Sequence, residues 1–201
     1  MLAGPVRDRF TVARATLRKL LARYLDIDPT AVELTYGPRG KPALPGGQQL
    51  RFNLAHSDDL AMYAFTCGHE VGIDVERLRE IPEMEQIAQR FFSSDEWAAL
   101  TSLLPGERLL SFYLAWTRKE AYVKAVGDGL HIPLGSFSVT LRPREPARLV
   151  RFDQDAALAR DWQIHNLEAP AGYAAALAYC GPRRHVHLLS IDELPDVPDS
   201  L

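Results

Sequence analysis

The chain has 201 residues, 47% of them hydrophobic, and a formal net charge of −3. That is enough apolar material for one large or two small packed domains, and it argues against a disordered or fibrous protein. No run of 18 apolar residues occurs, and the opening MLAGPVRDRFTVAR lacks the apolar core of a secretory signal. Cys67 and Cys180 lie far apart and suggest neither a disulfide framework nor a metal spacing. The expectation is a cytoplasmic chain without membrane contact.

Apolar residues at Phe10, Val12, Ala13, Leu17, Leu20, Leu21 and Tyr24 recur at helical period and predict a helix over residues 8–25. It should end near Leu25, ahead of the Asp-Pro pair at 28–29. From Met1 to Lys41 eight Lys or Arg residues (Arg7, Arg9, Arg14, Arg18, Lys19, Arg23, Arg39, Lys41) stand against four acids (Asp8, Asp26, Asp28, Glu33). A local positive surplus in a mildly acidic chain suits a small anionic ligand better than nucleic acid, which needs a broader basic surface. Any one of these cations also reads as part of a solvated helix face.

Short strands are expected at Glu33–Tyr36, Leu50–Ala55 and Leu60–Thr66, with SDD at 57–59 as a tight turn between the last two. Then comes VGIDVERLRE at 71–80, where Val71, Ile73 and Val75 alternate with Gly72, Asp74 and Glu76. This is strand period, and it leaves two carboxylates as neighbours on one face. At a spacing of roughly 6.6 Å and an effective dielectric of about 20, they repel by roughly 2.5 kcal/mol. Either a solvated edge strand screens the pair, or a hard divalent cation such as Mg²⁺ sits between them. The spacing alone leaves both open.

Residues 82–104 read as two helical stretches broken at FFSSDE, where Ser93 and Glu96 have capping-box spacing. Residues 107–126 are the strongest helix, stopped by Gly127 and Gly129. Glu120 and Lys124 stand four apart on one face of it, with Trp116 a turn earlier. An ordinary surface pair explains them if they stand alone. Together with Asp74 and Glu76, Glu120 makes a better Mg²⁺ donor set than two acids, and a nearby lysine suits a phosphate oxygen. The combination suggests phosphoryl or phosphodiester chemistry. Further strands are expected at Phe137–Leu141, Leu149–Phe152, Trp162–Leu167, Tyr173–Tyr179 and His187–Ser190, followed by a loose tail, DELPDVPDSL. YGPRGKPAL after the first long helix and VGDGLHIPL after the later one hint at an internal repeat. The fold class read from this is α+β, two similar halves that each pack a small, mostly antiparallel sheet with a long helix, joined near Thr101–Arg108.

The order and spacing of GKPAL at 40–44, FNLAHS at 52–57, GIDVE at 72–76, FFSSDE at 91–96 and WTRKEAYVKAVGDGL at 116–130 resemble the 4'-phosphopantetheinyl transferases. The likeness is to the larger, surfactin-type group, a pseudodimer in one chain. It implies an N-terminal half over 1–104 and a C-terminal half over 105–201. It implies that Asp74, Glu76 and Glu120 hold Mg²⁺ and that coenzyme A donates phosphopantetheine to a serine of an apo acyl or peptidyl carrier protein. Adenosine 3',5'-bisphosphate would leave, with Glu120 and Lys124 as the catalytic pair. By the same resemblance Lys41 and His56 contact coenzyme A phosphates, and Arg9 and Arg14 meet the nucleotide's 3'-phosphate. Glu96 needs only its capping role. Two departures stand out. Ala55 replaces the family's usual serine, a missing hydroxyl worth roughly 0.5–1.5 kcal/mol of ligand binding. The sequence also opens almost at the first helix, so either the native chain starts upstream or the first half is built without the family's usual first strand. A fused pair of halves is expected to be a monomer. The competing readings are a metal-dependent phosphodiesterase and an inactive relative that binds carrier proteins.

Overall fold

The computed structural model describes residues 4–37, 40–127, 132–152 and 161–191. In chain order the elements are α1 (Gly4–Leu25), β1 (Thr35–Tyr36), β2 (Pro42–Ala43), β3 (Leu50–Ser57), β4 (Leu60–Cys67), β5 (Val71–Arg77), α2 (Met84–Phe91), α3 (Ser94–Thr101), α4 (Pro105–Val126), β6 (Phe137–Val139), β7 (Leu149–Phe152), β8 (Trp162–Leu167) and β9 (Tyr173–Cys180). This is the expected α+β class. All recorded pairings are antiparallel: β1 with β2, β3 with β4, β6 with β7, and a three-stranded sheet in the order β5-β9-β8.

Two joints bring distant stretches of chain together. β5 pairs with β9 along its whole length, from Val71 opposite Tyr179 to Arg77 opposite Tyr173. On its other side β5 lies along β3, where side chains replace the ladder. Asn53 Oδ1 accepts from the Ile73 N–H at 2.9 Å and Ser57 Oγ from the Arg77 N–H at 3.1 Å. Both contacts join residues 20 apart, so β3 and β5 run in the same direction. α4 packs across β5 and β9.

Small residues make that packing close. Ala174, Ala176 and Ala178 of β9 and Ala115, Ala121 and Ala125 of α4 are all buried in one cluster. A Cβ on Gly72 would stand 2.1 Å from Ala121 O and 2.4 Å from Ala125 N. Only glycine permits the helix backbone to sit there. The opposite face of this sheet buries Val71, Ile73 and Val75 with Ala55, Ala175, Leu177 and Tyr179, and α1 packs Leu17 and Leu21 on Phe52 of β3.

Several expectations need correction. β5 is no solvated edge: Val71 through Val75 are buried, Asp74 included, because β3, β9 and α4 enclose them. The strand expected at His187–Ser190 does not form. Its sequence alternates suitably, but β5 and β8 already occupy both sides of β9. The strand expected at Glu33–Tyr36 shrinks to Thr35–Tyr36, whose partner is Pro42–Ala43, a strand not anticipated around a proline. Gly127 stops α4 at φ 83°, as expected. Gly129 and the tail at 192–201 lie outside the described residues.

Candidate active site

Asp74 lies on the face of β5 beneath α4, and the packing around Gly72 sets how near α4 comes. Lys124 meets it from α4, with Nζ 2.6 Å from Asp74 Oδ1. The other oxygen, Oδ2, is buried without a hydrogen-bond partner. Burial pushes the Asp74 carboxyl up to about 7; Lys124 opposes this, and the charges of Glu76 and Glu120 add to it. Glu120 is likewise pushed above the usual carboxylate range, by burial first and with Glu76 contributing. The three acids therefore share one electrostatic site, drawn from β5 and α4.

Counting charges at full ionisation, three carboxylates and one ammonium leave a surplus of two negative charges. A divalent cation has the matching charge, and the donors are all hard oxygens. An unpartnered buried carboxylate oxygen is costly and calls for a donor or a cation. In these respects the residues fit Mg²⁺. Among the described residues no three His, Cys, Asp or Glu side chains already stand as a metal cage. The Lys124 ammonium takes Asp74 Oδ1 instead.

A row of charge continues from this point along the contact between α4 and β5. Lys41 Nζ donates to the carbonyl of Lys124 at 2.6 Å and lies 3.7 Å from Glu70, so it binds the C-terminal end of α4, where the helix dipole favours a cation. Beyond it opens a cleft of about 380 Å³ lined by Lys41, Pro42, Leu50, Arg51, Phe52, Glu70 and Gly127. Arg14 approaches the rim of this cleft. It stacks on Tyr36 at 5.3 Å, and Gly37 is part of the lining.

The other predicted contacts are dispersed. His56 is exposed at the turn end of β3. Arg9 pairs with Asp59 in the β3–β4 turn at 2.8 Å, at the far end of the hairpin from Lys41. Ala55 points into the apolar cluster with Val71, Ile73 and Val75 and is 5% exposed. A serine hydroxyl at 55 would be buried in that cluster. Glu96 caps α3 by accepting from Ser93 N–H, as its spacing predicted, and also receives Val139 N–H at 2.7 Å and Lys119 at 2.8 Å.

Sequence reasoning gave Ser57 only a place in the SDD turn and assigned no role to Asn53 or Lys119. Ser57 Oγ donates to Glu76 Oε2 at 2.9 Å. Its signal was the shared face of two neighbouring strands, which no local pattern reveals.

The model of the family described as the 4'-phosphopantetheinyl transferase superfamily matches residues 70–178, the stretch that carries Asp74, Glu76, Glu120 and Lys124. The chain belongs to that superfamily. Among curated relatives, the 4'-phosphopantetheinyl transferase HetI of Nostoc sp. (strain PCC 7120) is 38% identical over 178 residues, covering 87% of this chain and 72% of that protein. The putative 4'-phosphopantetheinyl transferase slr0495 of Synechocystis sp. is 32% identical over 199 residues, covering 95% of this chain and 78% of its own. The transferase Sfp of Bacillus subtilis (strain 168) is 29% identical, with 89% of this chain and 77% of that protein covered. The transferase family and the surfactin-type likeness read from the motifs agree with these matches. No helix among the described residues is long and apolar enough to cross a membrane.

Proposed function

We propose that this protein transfers the 4'-phosphopantetheine group of coenzyme A to a serine of an apo acyl or peptidyl carrier protein. The observation that supports it most is the meeting of Asp74, Glu76, Glu120 and Lys124 at one seam, with Asp74 Oδ2 left without a partner, in a chain of this family. Asp74, Glu76 and Glu120 would hold Mg²⁺. Bound there, the ion supplies Lewis-acid neutralisation of the phosphate oxygens.

The residues of the chain then have separable tasks. The carrier serine Oγ forms a bond to the β-phosphorus of coenzyme A, and the bond from that phosphorus to the bridging oxygen breaks. Adenosine 3',5'-bisphosphate leaves with the bridging oxygen. Glu120, with its affinity for protons raised by burial, accepts the serine proton directly or through water. Lys124 is 32% exposed at its side chain, so it can exchange Asp74 for a phosphoryl oxygen as charge builds. Lys41 and the adjoining cleft take the nucleotide end, with Arg14 at the rim; the His56 ring and the Arg9 guanidinium offer further polar contacts at the turn end of β3. We read the chain as two fused halves, 1–104 and 105–201, acting as a monomer. Cys67 and Cys180 are free thiols, in keeping with a cytoplasmic location.

The test is to incubate the protein with coenzyme A, Mg²⁺ and a panel of apo carrier proteins, then record intact carrier mass and released nucleotide. A carrier heavier by one phosphopantetheinyl group, with one adenosine 3',5'-bisphosphate per carrier, is expected. Nucleotide release without any carrier would identify a phosphodiesterase. Carrier binding with unchanged mass across the panel would identify a binding module.

A further inference from the structure

The turn between β3 and β4 grips the end of β5 with two consecutive side chains. Asp58, at φ 51°, pairs with Arg77 at 3.1 Å and with Arg79. Ser57, one residue before it, reaches the same strand end through its hydroxyl, and both directions of that hydroxyl are fixed. The oxygen accepts from the Arg77 N–H at 3.1 Å. The proton goes to Glu76 Oε2 at 2.9 Å. A backbone N–H at an exposed position such as Arg77 can be satisfied by water, so the strand end does not require a serine. What water would not reproduce is a donor anchored to β3 and held on one chosen oxygen of Glu76.

We propose that Ser57 is a positioning residue for Glu76: it occupies Oε2 and leaves Oε1 as the oxygen offered to a divalent cation. This rests on the reading of Glu76 as a cation ligand. The hydroxyl narrows the rotamers open to a half-buried, flexible carboxylate, so that ligand and strand move as one. FNLAHS therefore carries two tasks on opposite faces of one strand, with His56 exposed and Ser57 turned to the acid site.

The test uses the full chain and Mn²⁺ as the probe, titrated by electron paramagnetic resonance with coenzyme A present. Thr and Val have the same shape, and both suit a strand, so Ser57→Thr and Ser57→Val differ only in the hydroxyl. The expected result is a Mn²⁺ dissociation constant near wild type for Ser57→Thr and about tenfold or more weaker for Ser57→Val. The two variants should share one melting temperature and one coenzyme A affinity. The Mg²⁺ concentration giving half-maximal transfer should rise in step. Equal Mn²⁺ binding by the two variants, with wild type binding normally, overturns the role of Ser57 alone. Wild-type protein that binds no Mn²⁺, while Asp74→Ala behaves identically, overturns the cation site itself and the role of Ser57 with it.

Discussion

Asp74 holds the site's least comfortable charge. Its folded carboxyl ionises near 7, against 3.8 for an ordinary aspartate, so between those values the metal-free folded state binds a proton that the unfolded chain has released. Stability owed to this residue is therefore present below about pH 4 and lost as pH rises toward 7. Thermal melts in chelator, wild type against Asp74→Asn, should show the wild type losing ground over that window; parallel curves would contradict the assignment. Glu120 belongs to the same scale. Glu120→Gln keeps its size and helix but cannot take a proton, and should lower the transfer rate by about 10²- to 10⁴-fold with melting unchanged. A rate within threefold of wild type would remove it from the reaction.

At the scale of elements, the site exists because α4 lies against β5 with almost nothing between them. Gly72→Ala places a methyl group inside the backbone of α4, and should destabilise the fold by about 3 kcal/mol or more while parting Lys124 from Asp74. An urea midpoint equal to wild type would refute that packing. The other fixture of α4 is Lys119, fully buried with Glu96, the carbonyls of Leu134 and Phe137, and the Phe137 ring at 4.2 Å. Lys119→Ala strands the Glu96 carboxylate and should cost about 3–5 kcal/mol, measured by the same unfolding. These elements also separate what the sequence disclosed from what it withheld. The Ser93–Glu96 box was legible because its partners are three residues apart. The burial of β5 was not. Its odd positions announced a strand, yet whether its even face met water depended on Gly72 and the alanines of β9, about 100 residues away. The failed strand at 187–190 has the same cause, since local alternation carries no information on whether a partner edge is open.

For the molecule as a whole, the charged groups form a line rather than a cluster. From Glu70, beside Lys41 and just ahead of β5, to Glu76 the chain extends about 20 Å at the usual strand rise. Cleft, ammonium of Lys41, Lys124 with Asp74, and then Glu76 and Glu120 follow one another along it. A long ligand with phosphates at intervals matches that layout better than a compact one. The order of motifs in the sequence identified the members of this line, while their register came only from β5 pairing with β9 under α4. Everything proposed for the reaction depends on the acids of β5 and α4 closing on one ion. The most direct measurement is an anomalous difference map from crystals grown with Mn²⁺ and coenzyme A. One peak at about 2.0–2.3 Å from oxygens of Asp74, Glu76 and Glu120 is the predicted result. A peak that excludes Asp74, or one with Lys124 still bound to Asp74 Oδ1 and the metal elsewhere, would contradict the account.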